Sequence, residues 1–134
     1  MCLSNYYIDV NEKIIYQTFI GELLFEDLIN MRTLITSNPL YDSSYHFITD
    51  LSKIRAKFSL DDLSRYEEEL HKYVKLIFTP DISSISRKSA LVVNNPKNFN
   101  KVFPFKDIMI EHSKNVIDVG VFETIEEAKN FILK

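Results

Sequence analysis

Apolar and polar positions fall into readable periods along most of the chain. Tyr6 to Val10 is a short β-rich run, and Ile14 to Ile20 is a second, dense in β-branched and aromatic residues. Asn11-Glu12-Lys13 between them is a polar break of hairpin length. The pair predicts an antiparallel hairpin, with Gly21 at its exit. From Phe25 the period lengthens. Leu24, Leu28, Met31 and Ile35 fall on one stripe of an amphipathic helix. Glu26 and Asp27 occupy its first turn, where the helix dipole favours negative charge. Asn38-Pro39 stops it, because the residue before proline avoids the α region.

Tyr45 to Leu51 predicts a third strand, and the adjacent apolar pair Phe47-Ile48 predicts burial on both faces. Ser59-Leu60-Asp61-Asp62 resembles a capping box with Asp in place of Glu. Leu63, Tyr66, Leu70 and Ile77 continue it as a helical stripe, which Thr79-Pro80 ends. Ser89 to Asn94 is the fourth strand, nearly all apolar. Phe99, Val102 and Phe103 could open a third helix, but Pro104 would break an interior turn, so Pro104 at the first helical position is the better start, with Phe105, Ile108, Met109 and His112 on the buried side. Asn115 to Phe122 is the fifth strand. Thr124-Ile125-Glu126-Glu127 is a full capping box, followed by the apolar face Ala128, Phe131, Ile132 and Leu133. The order is ββαβαβαβα. It predicts an α/β domain over residues 1–134, with four helices covering a mixed sheet of about five strands that opens on an antiparallel hairpin.

Composition then narrows the function. The chain has 134 residues and only two glycines, Gly21 and Gly120. No G-x-G-x-x-G, no G-x-x-x-x-G-K-[ST] and no G-x-S-x-G can be written with them. The commonest phosphate loops and the hydrolase elbow are therefore excluded. Lys and Arg number 16 against 19 Asp and Glu, a net charge of −3, which argues against a nucleic-acid binder. The single cysteine, Cys2, cannot close an internal disulfide and fits a reducing cytoplasm. No apolar run approaches a membrane span or a signal peptide.

Several residues, in order, resemble the SpoIIAA-like family of small bacterial proteins, which is similar to STAS domains, the sulfate-transporter and anti-sigma-factor-antagonist fold. The resemblance covers roughly residues 6–134. It is carried by Gly21-Glu22-Leu23 with Glu26-Asp27-Leu28, by Asp50-Leu51-Ser52, by Ala90-Leu91-Val92-Val93, and by Val121-Phe122 with Glu126-Glu127-Ala128. It implies a SpoIIAA-like sheet and action by protein–protein contact. STAS relatives carry a regulated serine in a pattern like D-L-S-x-x-x-x-x-D-S-S-G. Asp50-Leu51-Ser52 matches its opening, but its end falls on Phe58-Ser59-Leu60-Asp61. Only Ser59 matches, and Leu60 stands where the regulated serine belongs. The resemblance thus implies the fold without the phospho-serine switch. Relatives also often place Thr where Leu24 stands, which implies a helix lacking that side-chain cap.

Candidate chemistry is sparse. His46, His71 and His112 have no metal-binding spacing, and one cysteine gives no sulfur cluster. No metal, cofactor or catalytic group is expected, and the chain reads as a non-enzyme. Ligands in open α/β sheets bind beyond the carboxyl ends of the strands. Asp50, Ser52 and Asn94, with Ser59, are the polar residues such an edge can gather. Phe99, Phe103, Phe105 and Met109 cluster around Pro104 and are candidates for an apolar pocket. Two functions follow. One is an interaction or regulatory module binding a protein partner or itself. The other is a carrier of a small hydrophobic, lipid-like ligand, a role held by the architecturally similar CRAL-TRIO type.

Overall fold

The computed structural model describes residues 2–56, 87–94 and 117–134. They form β1 (Cys2–Asp9), β2 (Ile14–Leu23), α1 (Phe25–Thr36), β3 (His46–Ala56), β4 (Arg87–Val92), β5 (Ile117–Phe122) and α2 (Ile125–Leu133). The five strands make one sheet in the order β1-β2-β3-β4-β5. β1 pairs antiparallel with β2, and β2 to β5 run parallel. The chain is thus α/β with a mixed five-stranded sheet that opens on the expected hairpin. Two of the four expected helices, over 59–77 and 104–112, lie outside the described residues.

The hairpin turn spans residues 10–13. Asp9 organises it, its Oδ1 accepting the backbone N–H of Asn11 at 3.0 Å and of Glu12 at 2.9 Å. The Glu12 N–H, more than any other group, holds the Asp9 carboxyl below the usual carboxylate range. Both hairpin strands outrun their sequence pattern. β1 begins at Cys2 because Cys2 to Asn5 pair with Gly21 to Thr18. Gly21 is not the exit from β2. It lies inside the strand at φ 100°, a conformation that favours glycine, and β2 continues to Leu23.

β3 also runs on, to Ala56 rather than Leu51. Thr18 pairs with Asp50, but Ile20 pairs with Lys53. Two residues of β3, Leu51 and Ser52, therefore stand opposite Phe19 alone. This is a β-bulge, and it reverses the in–out alternation of everything after it. Leu51 is the first residue of the bulge and Ile54 follows it, an odd spacing, yet both pack on the same core.

The core lies in two layers. On one face Ile15, Phe19, Leu23, Phe47, Leu51, Leu91 and Val119 pack with Met31 and Ile35 of α1. On the other, Ile14, Ile48, Ala90 and Val92 pack with Ala128 and Ile132 of α2. The neighbours Phe47 and Ile48 are both buried, one in each layer, as their adjacency predicts. Gln17 and Thr49 are paired in register within the first layer, and Gln17 Nε2 donates to Thr49 Oγ1 at 2.8 Å. That bond satisfies two buried polar groups.

Both helix ends follow from local chemistry. α1 stops at Thr36, ahead of Asn38-Pro39. Leu24 caps its start without a side-chain bond, and Asp27 Oδ2 reaches back to accept the Leu24 N–H at 2.8 Å. Thr124 Oγ1 accepts the Glu127 N–H at the start of α2. At its far end Lys88 Nζ donates to the carbonyls of Phe131 at 3.0 Å and Lys134 at 3.1 Å. Leu133, expected on the apolar face of α2, points outward instead and is 62 % exposed.

Gly120 marks the close approach that a glycine inside a strand suggests. A Cβ there would meet the Phe122 ring at 2.6 Å and the Phe131 ring at 3.3 Å. Those rings pack on each other 5.1 Å apart. Gly120→Ala is expected to destabilise the fold by about 1–3 kcal/mol through overpacking. Urea unfolding measures it, and in a Phe122→Leu background the cost of the same change should shrink, because the ring it strikes is gone.

Candidate functional site

The carboxyl ends of the parallel strands come together where β4 leaves the sheet. β3 and β4 pair from Phe47–Ser89 to Asp50–Val92. Asp50 is therefore inside β3, not at its end, but it sits level with the last residue of β4. Asp50 Oδ1 accepts the Ser52 backbone N–H at 3.0 Å and its Oγ–H at 2.6 Å. Asn94 Nδ2 donates to the Ser52 carbonyl at 2.6 Å. The structure brings together the three described members of the predicted edge, Asp50, Ser52 and Asn94. It also shows what they do: they bond one another around the bulge and join the end of β4 to it. Their polarity serves as a latch between two strands. Ser59, and the predicted pocket residues Phe99, Phe103, Phe105 and Met109, lie outside the described residues.

Of the three histidines, only His46 is described. It opens β3, and its Nδ1 accepts the Lys88 backbone N–H at 3.0 Å. The ring must therefore be unprotonated at Nδ1. Burial lowers its pKa first, and the nearby Lys88 and Arg87 charges lower it further. Among the described residues no group of His, Cys, Asp and Glu is placed to hold a metal ion. No described helix is long and apolar enough to cross a membrane.

Two charged features escape a sequence reading. Glu12 bridges the hairpin turn to α2: Oε1 accepts the Tyr16 hydroxyl at 3.0 Å, and Oε2 meets Lys129 Nζ at 2.9 Å. Burial, then the bond to Glu12, raises the Tyr16 phenol above its ordinary pKa. Beneath α1, the Arg32 guanidinium lies 3.7 Å from the Phe47 ring centre and the buried Arg87 guanidinium 5.4 Å from it. The only signal for Arg87 is a basic residue heading an apolar strand.

The largest departure from expectation is on the hairpin. Leu3 stands opposite Ile20, Asn5 opposite Thr18, and Tyr7 opposite Tyr16. All six share the sheet face on which α2 packs. α2, however, packs across β3, β4 and β5. Leu3 is left 63 % exposed, Tyr7 62 % and Ile20 41 %. The Tyr7 and Tyr16 rings lie 6.3 Å apart beside them. Leu3 precedes the first run that reads as a strand, so periodicity alone did not place it on this face.

Compared with models of protein families and with curated proteins, the chain finds no match.

Two measurements test the latch and the histidine. Asp50→Ala removes the acceptor for both Ser52 bonds and is expected to cost about 1.5 kcal/mol in urea unfolding, with Asp50→Asn costing less because it keeps Oδ1. His46 has a native pKa below its unfolded value of about 6.5. Its contribution is thus complete above that pH and is lost as pH falls toward the lowered native value. The urea midpoint should drop between pH 7.5 and 5.5 in the wild type. It should drop less in His46→Asn, which keeps an acceptor and does not titrate; equal drops in both proteins contradict the assignment.

Proposed function

We propose that the chain is a STAS-like interaction module that docks a protein partner on its N-terminal hairpin and catalyses no reaction. The observation that carries the reading is the uncovered apolar face of β1 and β2. Leu3, Tyr7 and Ile20 are large and exposed, and they adjoin one another across two paired strands. Clustered apolar exposure of this kind marks interaction surfaces, whereas single exposed residues do not. Tyrosine suits such a surface, since it supplies a large apolar contact with a polar end.

Two further points support it. The mixed sheet with an antiparallel opening hairpin is the architecture that the resemblance implies. Asp50, Ser52 and Asn94 at the strand ends are bonded to one another, whereas Leu3, Tyr7 and Ile20 on the hairpin are exposed side by side across two paired strands. Leu60, standing where relatives carry the regulated serine, favours a constitutive contact over a phosphate-gated one.

Leu3→Glu and Tyr7→Glu, made separately, test the reading. Both sites are exposed, so stability should stay within about 0.5 kcal/mol of the wild type. Capture of the partner from lysate of the source cell, compared side by side, should weaken about tenfold or more in each variant. Undiminished capture by both variants rules out this face.

A further inference from the structure

The outer edge of β1 carries an inference that the face of the hairpin does not. Asn5 Oδ1 accepts the Tyr6 backbone N–H at 2.9 Å. Tyr6 therefore directs its N–H away from β2. Successive N–H groups of a strand alternate sides, so Ser4 and Ile8 face outward with it, and the carbonyls of the same residues do too. Native sheets blunt such edges with charge, proline, bulges or short length. β5, the opposite edge, is six residues long and carries an exposed Asp118. β1 is eight residues long, and Cys2 to Ile8 contain no charge, no proline and no glycine.

We infer that β1 pairs antiparallel with β1 of a second copy of this chain, on a two-fold axis at Asn5, joining two sheets into one of ten strands. The register selects this partner. An outward residue must meet an outward residue. Centring on Asn5 sets Ser4 against Tyr6 of the second copy and Cys2 against Ile8. This register engages all four outward positions of both strands. A centre at Ser4 or Tyr6 leaves part of the edge unpaired. On the axis, the two Asn5 residues form a non-hydrogen-bonded pair, in which side chains come closest. Each amide is both donor and acceptor, so two identical asparagines complement each other. Asn5 gives up the Tyr6 N–H, which the ladder then takes. Leu3 lies beside Tyr7 of the second copy, so part of the exposed face is covered as well.

The inference shares the hairpin with the docking reading but concerns its edge, and the test separates them. Analytical ultracentrifugation of the wild type should show a concentration-dependent dimer. Asn5→Lys and Asn5→Asp each place like charges opposite themselves on the axis, and each should raise the dissociation constant about tenfold or more. An equimolar mixture of the two should restore a dimer, now mixed. Urea midpoints near the wild-type value establish that both variants fold. A wild type that stays monomeric to millimolar concentration overturns the inference. So does a dimer that Asn5→Lys leaves intact, or a mixture that fails to recover pairing. Leu3 and Tyr7 are unchanged in these variants, so partner capture that persists while self-pairing is lost leaves the docking reading standing.

Discussion

The bulge between Asp50 and Lys53 decides how this sheet is used. Up to it, β3 sends Phe47 and Thr49, and at it Leu51, into the layer that contains Met31 and Ile35 of α1. A regular strand would then turn Ile54 toward the opposite face. One extra residue returns Ile54 to the core beneath α1 and lets β2 and β3 stay paired to Leu23 and Ala56. An unpaired residue in mid-strand needs its backbone groups satisfied by something else. Asp50 takes the Ser52 N–H, and Asn94 takes the Ser52 carbonyl. The extra residue is thereby bonded on both sides, and the departing β4 is tied to the same point. The rule for the carboxyl ends of parallel strands makes Asp50 and Ser52 candidates for a binding edge. In this chain those residues hold the corner together.

The same feature explains where the sequence could be read and where it could not. The end of α1, the start of α2 and the existence of the fourth and fifth strands follow rules that are local: a proline, a Thr-Glu box, a continuous apolar run; the fourth strand lies two residues earlier than that run, at Arg87–Val92 rather than Ser89 to Asn94. Burial of both Phe47 and Ile48 follows from their adjacency in a strand covered on two sides. The end of β3 does not follow, because the spacing of Leu51 and Ile54 breaks the alternation of a strand. Only the partner strand reveals that one residue is extra. Gly21 misled for a related reason. Its left-handed backbone reads as an exit, whereas the strand passes straight through it. β1 starts four residues before its sequence pattern because Cys2 to Asn5 lie at an edge with little burial to impose alternation.

The candidate site divides along similar lines. That Asp50, Ser52 and Asn94 converge was legible from the rule about carboxyl ends of parallel strands. That they would satisfy each other was not, since it depends on hydrogen-bond geometry that no spacing encodes. The exposed hairpin face was invisible for a different reason. A residue such as Leu3 or Tyr7 looks like core in sequence. Its exposure follows from where α2 stops, which is set by the packing of Ala128 and Ile132 over Ile48, Ala90 and Val92. Gly120 contributes to that seating, because its missing Cβ leaves room for the Phe122 ring against Phe131.

Among the described residues, several polar side chains bond inward, and large apolar ones on the hairpin face outward. His46, Asp50, Lys88 and Asn94 each carry a group that enzymes use, and each is bonded to strand or helix backbone, while the Ser52 hydroxyl donates to the Asp50 carboxylate. A polar side chain already bonded within the fold is held in one place, and moving it to serve a ligand costs that bond. Leu3, Tyr7 and Ile20 face no such cost. Water contacts them now, and an apolar surface that displaces it gains the transfer of their exposed area. The energetic asymmetry between a closed polar corner and an open apolar hairpin is what gives the interaction reading its physical basis.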